Sequence, residues 1–525
     1  MYQIQKKRTK ESRRRRSCIK KGKVESMRKK LLAGILALAL CSTNMPLQTI
    51  FAEEFTSGNP NVVSEEETPE IFTNEEQEAA GETDEELSVF SSDEVPEFND
   101  APDEAMAAAE NEGIDLANVS GGIYTISSAG DHKFICSQET GNRIVVDGEG
   151  ISPEDSINIY LNKVNINTST GPALQINVNV KATVTIYLTG TNNLIAKDTW
   201  YAGLYKANKA SLIITTKVLD TTAGILNAHG SSDGNGAGIG GSNITINSCS
   251  VIASSKYGAG IGGNNQGAGS KITINSASVT ARSTDGAGIG GGLYGDGSDI
   301  IINNSSVTAS STNGAGIGGG KGYGGSCKNI TINGGSVKAS SVSGSPTNEG
   351  KEVYCCTIEN PENANVTIKP GTGNWKPVNH SSLDPDDTNL YVWLPKLEGN
   401  STNSYLIILD PENGSESRTR NYSFDTVTNT FKAAQVVDDF IFKSPVNLTY
   451  DGQPKEASLE FKFKPTPENN RKISLVYYKG NYDDIKDTTE PLQGAPVNAG
   501  TYTVKAQIAA SESYFAHNGL ESLYY

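Results

Sequence analysis

The chain reads as an all-β protein: a right-handed parallel β-helix, followed by a small β domain and an immunoglobulin-like β-sandwich module. Three observations predict this. The hexapeptide GAGIGG is spelled four times, beginning at 236, 258, 286 and 314. A second pattern recurs in step with it, as NITINSCSVIA (243–253), KITINSASVTA (271–281), DIIINNSSVTA (299–309) and NITINGGSVKA (329–339). The composition, with 55 Gly among 525 residues and 36% hydrophobic residues, is that of a loop-rich β chain. At this length one core cannot serve the whole chain, so several units are expected.

Each segment has its own signature. From Met1 to Lys30 nearly every charge is Lys or Arg, with RRRR at 13–16, and MRKKLLAGILALALCSTNMPLQTIFA follows. A basic region, an apolar region and a small residue at the end is the order of a secretory signal, here residues 1–52 with cleavage after Ala52. The apolar run Leu31–Cys41 is too short to span a bilayer, so no integral membrane segment is expected once the signal is removed. Met27 offers an alternative start, and Leu40 stands where lipidation of Cys41 would need a small residue. Residues 53–112 hold twenty-one Asp or Glu and no Lys or Arg, and with few large apolar residues they read as an acidic, disordered spacer. The formal net charge of −16, and the removal of the basic run with the signal, argue against a nucleic-acid partner.

Residues 113–345 carry the β-helix. Within a repeat, Ile244 and Ile246 alternate with Thr245, and Val251 and Ala253 alternate with Ile252, the period-two pattern of strands with one buried face. GAGIGG adds a third, tight side with one apolar residue. Three short sides and a spacing of 28 to 30 residues make one coil, with like residues stacked about 4.8 Å apart. Glycine is expected to supply positive φ at the corners, and Asn247, Asn275, Asn303 and Asn333 to tolerate the left-handed region and hydrogen-bond along the stack. Leu174 and Leu204 precede Ile239, Ile261, Ile289 and Ile317 in the same column, so the helix starts well before 236. Residues 346–435, with YVWLP and YLIIL runs, read as a small β domain.

Two resemblances add to this. IYTISSAGD, RIVVDGEG, LNKVNINTSTGPALQI and TVTIYLTGTNNL, between Ile123 and Ala196, resemble the carbohydrate-binding β-helix family of secreted proteins of Gram-positive anaerobes. That resemblance implies a pectate-lyase-like fold, binding of cellulose or acidic polysaccharide without demonstrated catalysis, and calcium. The family's Asp before Gly-Pro-Ala is Thr170 in this chain, which weakens the carry-over of calcium. NLTYDGQPKEASLEF, ISLVYY and VNAGTYTVKAQI, within 436–525, resemble the MBG or YDG surface module, and the chain stops at SLYY, one strand short of it.

The chemistry-bearing residues are sparse. No GAGIGG is followed by the Lys-Ser/Thr of a phosphate loop, and no Cys or His spacing fits structural zinc. GDGSDII (295–301) matches part of a calcium nonapeptide at Asp299, but its sister coils lack the carboxylates. Polysaccharide lyase chemistry needs clustered carboxylates and an outward base, whereas 236–345 contains only Asp285, Asp296 and Asp299 as acids. The column before each glycine corner, Trp200, Asn235, Tyr257, Asp285 and Asn313, should fall on one edge, and Tyr294 and Tyr323 form a second candidate stack. Aromatic faces beside amides and a carboxylate suit a linear glycan. The expectation is a secreted, surface-associated, non-catalytic polysaccharide-binding or adhesion protein with no required cofactor. A structural stalk or a lyase are the alternatives, and the oligomeric state is left open.

Overall fold

A computed structural model describes residues 113–524, apart from 199, 207–209, 217–223, 323–326, 361, 371–387, 400–402, 464, 466–468 and 482–488. The signal (1–52) and the acidic spacer (53–112) lie outside the described residues. The described elements are β-strands with three short 3-10 turns.

Strands of the first part stack into a parallel β-helix with three faces. The glycine face is an eight-stranded parallel sheet running from Ile123–Ile126 through Leu174–Ile176, Leu204–Lys206 and Ile239–Gly240 to Ile317–Gly318. The second face carries Gly130–Ile135, Ser156–Asn162, Thr183–Thr189, Ser211–Thr216 and Ile244–Asn247, then the matching parts of the later coils. The third carries Asn165–Thr168, Thr191–Ala196, Ile225–His229, Ser250–Ser254 and Ser278–Ser283.

Registry between coils is that of the repeat. Ile244, Ile272, Ile300 and Ile330 pair in sequence and form one interior file, none more than 2% exposed. The column Leu174, Leu204, Ile239, Ile261, Ile289, Ile317 is a second interior file and extends back to Ile144. Each such side chain removed from water contributes roughly 1.5–3 kcal/mol. The files are thus the main source of cohesion along the rod.

Two corner expectations need correction. Asn247, Asn275, Asn303 and Asn333 do form a ladder, the amides of Asn275, Asn303 and Asn333 each donating to the side-chain oxygen of the asparagine one coil before at 2.7 to 2.8 Å. The left-handed residue, however, is the next one: Ser248 (φ 48°), Ser276 (47°), Asn304 (45°) and Gly334 (81°). Asparagine is there for its side-chain chain of hydrogen bonds, and its neighbour turns the corner. Within GAGIGGG at 286–292, likewise, only Gly290 has positive φ (130°). Gly288 is required by backbone crowding instead: a Cβ there would lie 2.6 Å from the Gly316 carbonyl oxygen and 2.8 Å from that of Ala281. Close approach of stacked main chains, more than turn geometry, demands this glycine.

Beyond Ala339 the pairing becomes mainly antiparallel, with parallel bridges left at Val342, Thr347, Cys356 and Ala433. Lys351–Glu359 pairs with Asn389–Pro395, and Ser404–Asp410 with both Asn365–Lys369 and Arg418–Asp425. Strand Asn389–Pro395 lies on the last coil: the Trp393 indole donates to the Val337 carbonyl at 2.9 Å, and the Tyr391 amide to Ser336 Oγ at 3.0 Å. Trp393, Val392 and Leu394 share one continuous core with the helix. The chain then forms a two-stranded sheet (Phe440–Lys443, Ser458–Phe461) and a three-stranded one (Ile473–Lys479, Tyr502–Ile508, His517–Tyr524), whose Phe440, Leu459, Ala506 and Ile508 pack together. Arg420 is ion-paired with buried Asp439, and the Tyr514 hydroxyl donates to Glu359 at 2.7 Å, tying these sheets to the preceding one.

Candidate functional site

The glycine corners place the predicted edge residues in a row. A Cβ on Gly236 would collide with the Tyr201 main chain, one on Gly258 would lie 2.6 Å from the Ala237 nitrogen, and one on Gly314 2.6 Å from the Gly286 oxygen. The residues preceding them, Trp200, Asn235, Tyr257, Asp285 and Asn313, therefore follow one another from coil to coil. Polar groups of the row are engaged with one another and with neighbouring loops. Asn313 Nδ2 donates to Asp285 Oδ1 at 2.9 Å, and Lys321 Nζ approaches the same oxygen at 3.4 Å. Asn265 Nδ2 donates to Asn235 Oδ1 at 2.6 Å. Lys256 Nζ stands 5.0 Å from the Tyr257 ring centre, and its hydrogen bond to Asp233 holds that ammonium above its usual range. Trp200, 70% exposed, and Asn313 are the exposed members of the row, whereas Asn235, Tyr257 and Asp285 are half-buried.

Tyr294, 56% exposed and left-handed at φ 61°, stands on the loop after the glycines. Its coil-to-coil neighbour is Gly322, where a Cβ would collide with the tyrosine ring. Of the expected Tyr294–Tyr323 stack, Tyr323 lies outside the described residues.

A tyrosine pair absent from the sequence reading stands on the second face. Tyr160 and Tyr187 are directly opposed in adjacent strands, with ring centres 4.8 Å apart and planes 12° from parallel. Both project outward between buried neighbours, Ile159 and Leu161 in one strand, Ile186 and Leu188 in the next. The signal was available: the triplet Ile-Tyr-Leu occurs at 159–161 and again at 186–188. Asp131 and Asn158, hydrogen-bonded at 2.7 Å, and Lys133 flank the Tyr160 end. Burial, and then the Asp131 carboxylate, push the Tyr160 hydroxyl above its ordinary range.

The turn at Thr170 does not fit calcium. The Arg143 guanidinium fills the space beside Gly171, where a Cβ would collide with it, and Nη1 donates to the Pro172 carbonyl at 3.4 Å. A fixed cation already occupies that turn. At the other candidate turn, Asp299 accepts from Asn329 Nδ2 at 2.8 Å and from Ser298 Oγ at 3.2 Å, so its oxygens are committed to the protein. Among the described residues, no group of three or more His, Cys, Asp or Glu could hold a metal ion. The rows expected to face outward are Thr245, Thr273, Ile301, Thr331 and Ile252, Thr280, Thr308, Lys338, of which Thr280 is buried. Lys338 Nζ, the base in that set, stands 5.1 Å from the centre of the Tyr391 ring. Cys249 is buried, and its thiol is pushed up to about 12, which keeps it protonated and unreactive.

A family model described as beta helix repeat matches residues 272–293, 300–321 and 330–345. The chain carries beta helix repeats. Each match opens on an isoleucine of the first interior file, Ile272, Ile300 or Ile330, and the first two run through a GAGIGG corner. No curated protein and no solved structure matches the chain. No helix among the described residues is long and apolar enough to cross a membrane.

Proposed function

We propose that this is a secreted, cell-surface protein that binds polysaccharide without transforming it. The observation carrying this reading is the rod's regular surface, where hydroxyl and amide side chains recur once per coil and aromatic rings stand free of the core. A linear glycan also presents hydroxyls and apolar ring faces at regular intervals, which rows of this kind complement. The reading takes the helix as right-handed, on the near-uniform hand of parallel crossovers. It takes 346–435 as a small β domain and 436–525 as an immunoglobulin-like module of the MBG or YDG kind. It assigns no reaction, cofactor or nucleic-acid partner. Sedimentation of the full chain with cellulose, pectin and mucin tests it: retention on at least one is expected, and recovery wholly in the supernatant with all three refutes it.

A structural stalk is the second reading. It is favoured by the Asp285–Asn313–Lys321 and Asn235–Asn265 contacts, which engage polar groups of the edge within the protein. Under that reading Trp200→Ala leaves every glycan assay unchanged.

A further inference from the structure

The second face carries an outward column that changes character along the rod. In register it runs Lys133, Tyr160, Tyr187, Thr215, Asn247, Asn275, Asn303, Asn333. Two rings stack, and one coil on, the column falls to threonine. One ring face of Tyr187 is covered by Tyr160. The other faces Thr215 one coil on, a smaller side chain than the ring that would continue the stack. Beyond it the amides of the asparagine ladder begin.

We infer that this notch, bounded by the free face of Tyr187, Thr215 and Asn247, seats one pyranose ring of a neutral polysaccharide. A sugar's axial C–H face packs on an aromatic ring as another ring would, while its equatorial hydroxyls reach the flanking polar groups. The class follows from the flanking positions. Thr185, Ile213 and Thr245 in the neighbouring outward column are uncharged, as are Thr215 and Asn247. The charged groups Asp131 and Lys133 stand at the far side of Tyr160, and Lys163 lies along Gly190 at the corner. Among these described positions a uronate would find no cation against its carboxylate. This deepens, and rests on, the polysaccharide-binding reading, but it places the contact on a different face from Trp200.

Cross-strand aromatic pairs also stabilise sheets, so a loss on deletion alone would be ambiguous. Affinity electrophoresis of the full chain in hydroxyethyl cellulose, a neutral polymer, and in polygalacturonate separates the possibilities. The wild type is expected to be retarded by the neutral polymer. Tyr187→Ala should weaken that binding about tenfold, and Tyr187→Phe should retain it. Thr215→Tyr, which extends the stack into the notch, should weaken binding by a similar factor while its thermal midpoint stays at or above that of the wild type. Retardation of the wild type with Tyr187→Ala and Thr215→Tyr unaffected overturns the notch and leaves the polysaccharide reading standing. Retardation by polygalacturonate alone overturns the neutral class, and retardation by neither polymer overturns both proposals.

Discussion

The later coils, 236–339, and the earlier ones, 123–216, solve the same stacking problem differently. In the later coils each position repeats itself: isoleucine over isoleucine, asparagine over asparagine, glycine over glycine. In the earlier coils the interior files persist while the rest varies. The row that is Gly238, Gly260, Gly288 and Gly316 downstream is Gly203 and then Ala173 upstream, so a methyl group is accommodated there. The earlier interior also admits Lys206, 1% exposed, beneath Ile176, and the outward column holds tyrosine in place of the amide ladder. Identity of successive coils stabilises a rod, and departure from identity gives it places that differ from one another. Distinct chemistry is therefore to be sought in the earlier coils.

Four measurements would sharpen or break this contrast. The largest effect is expected in the regular coils, where Ile289→Ala should cost about 3–5 kcal/mol and Gly288→Ala about 3 kcal/mol, read by denaturant unfolding. Ala173→Gly, in the same row as Gly288, should cost about 1 kcal/mol or less. Equal costs at 288 and 173 would remove the distinction between the two regions.

Next comes Lys206. Burial lowers its ammonium to about 8, against about 10.4 for an exposed lysine. Between those values the unfolded chain holds the extra proton, so stability rises with pH across that window, and the full penalty applies below about 8. Relative to the wild type, Lys206→Met should therefore be roughly 3 kcal/mol more stable near neutrality than it is at about pH 10.5. A difference between variant and wild type that does not change with pH would show that the charge is not what the site resists.

The asparagine ladder should be worth less. Asn275 both donates to Asn247 and accepts from Asn303, so Asn275→Ala is expected to lose about 1–2 kcal/mol. Asn333, at the end of the ladder with Asn303 as its ladder partner, should lose about half as much. The smallest stability effect belongs to Trp200→Ala, within about 0.5 kcal/mol in thermal unfolding. A concurrent loss of glycan retention would put the edge back among the binding surfaces.

The rod itself was legible in the sequence because a side chain one coil away is an interval of near-constant length. Ile272 predicts Ile300 by counting. Which residue bends the chain was not legible, since Asn303 and Asn304 are equally suited to a left-handed corner and only the ladder geometry separates them. The glycine motif was read as turn chemistry, yet the dominant constraint on Gly288 comes from Gly316, a residue 28 positions away. The edge row was legible as a row, but the pairing of Asp285 with Lys321 depends on how a loop folds back, which spacing does not encode. Tyr160 and Tyr187 were missed because their coils keep the interior pattern but not the outward one, so no repeated unit drew attention to them.

Trp393 and its strand lie over the final coil, with the indole bonded to a carbonyl of the last regular strand. An open stack of parallel strands is a template: its terminal row of amides and carbonyls invites any extended segment to add another layer. With that row covered by the protein's own chain, this end of the stack is closed to growth into fibres.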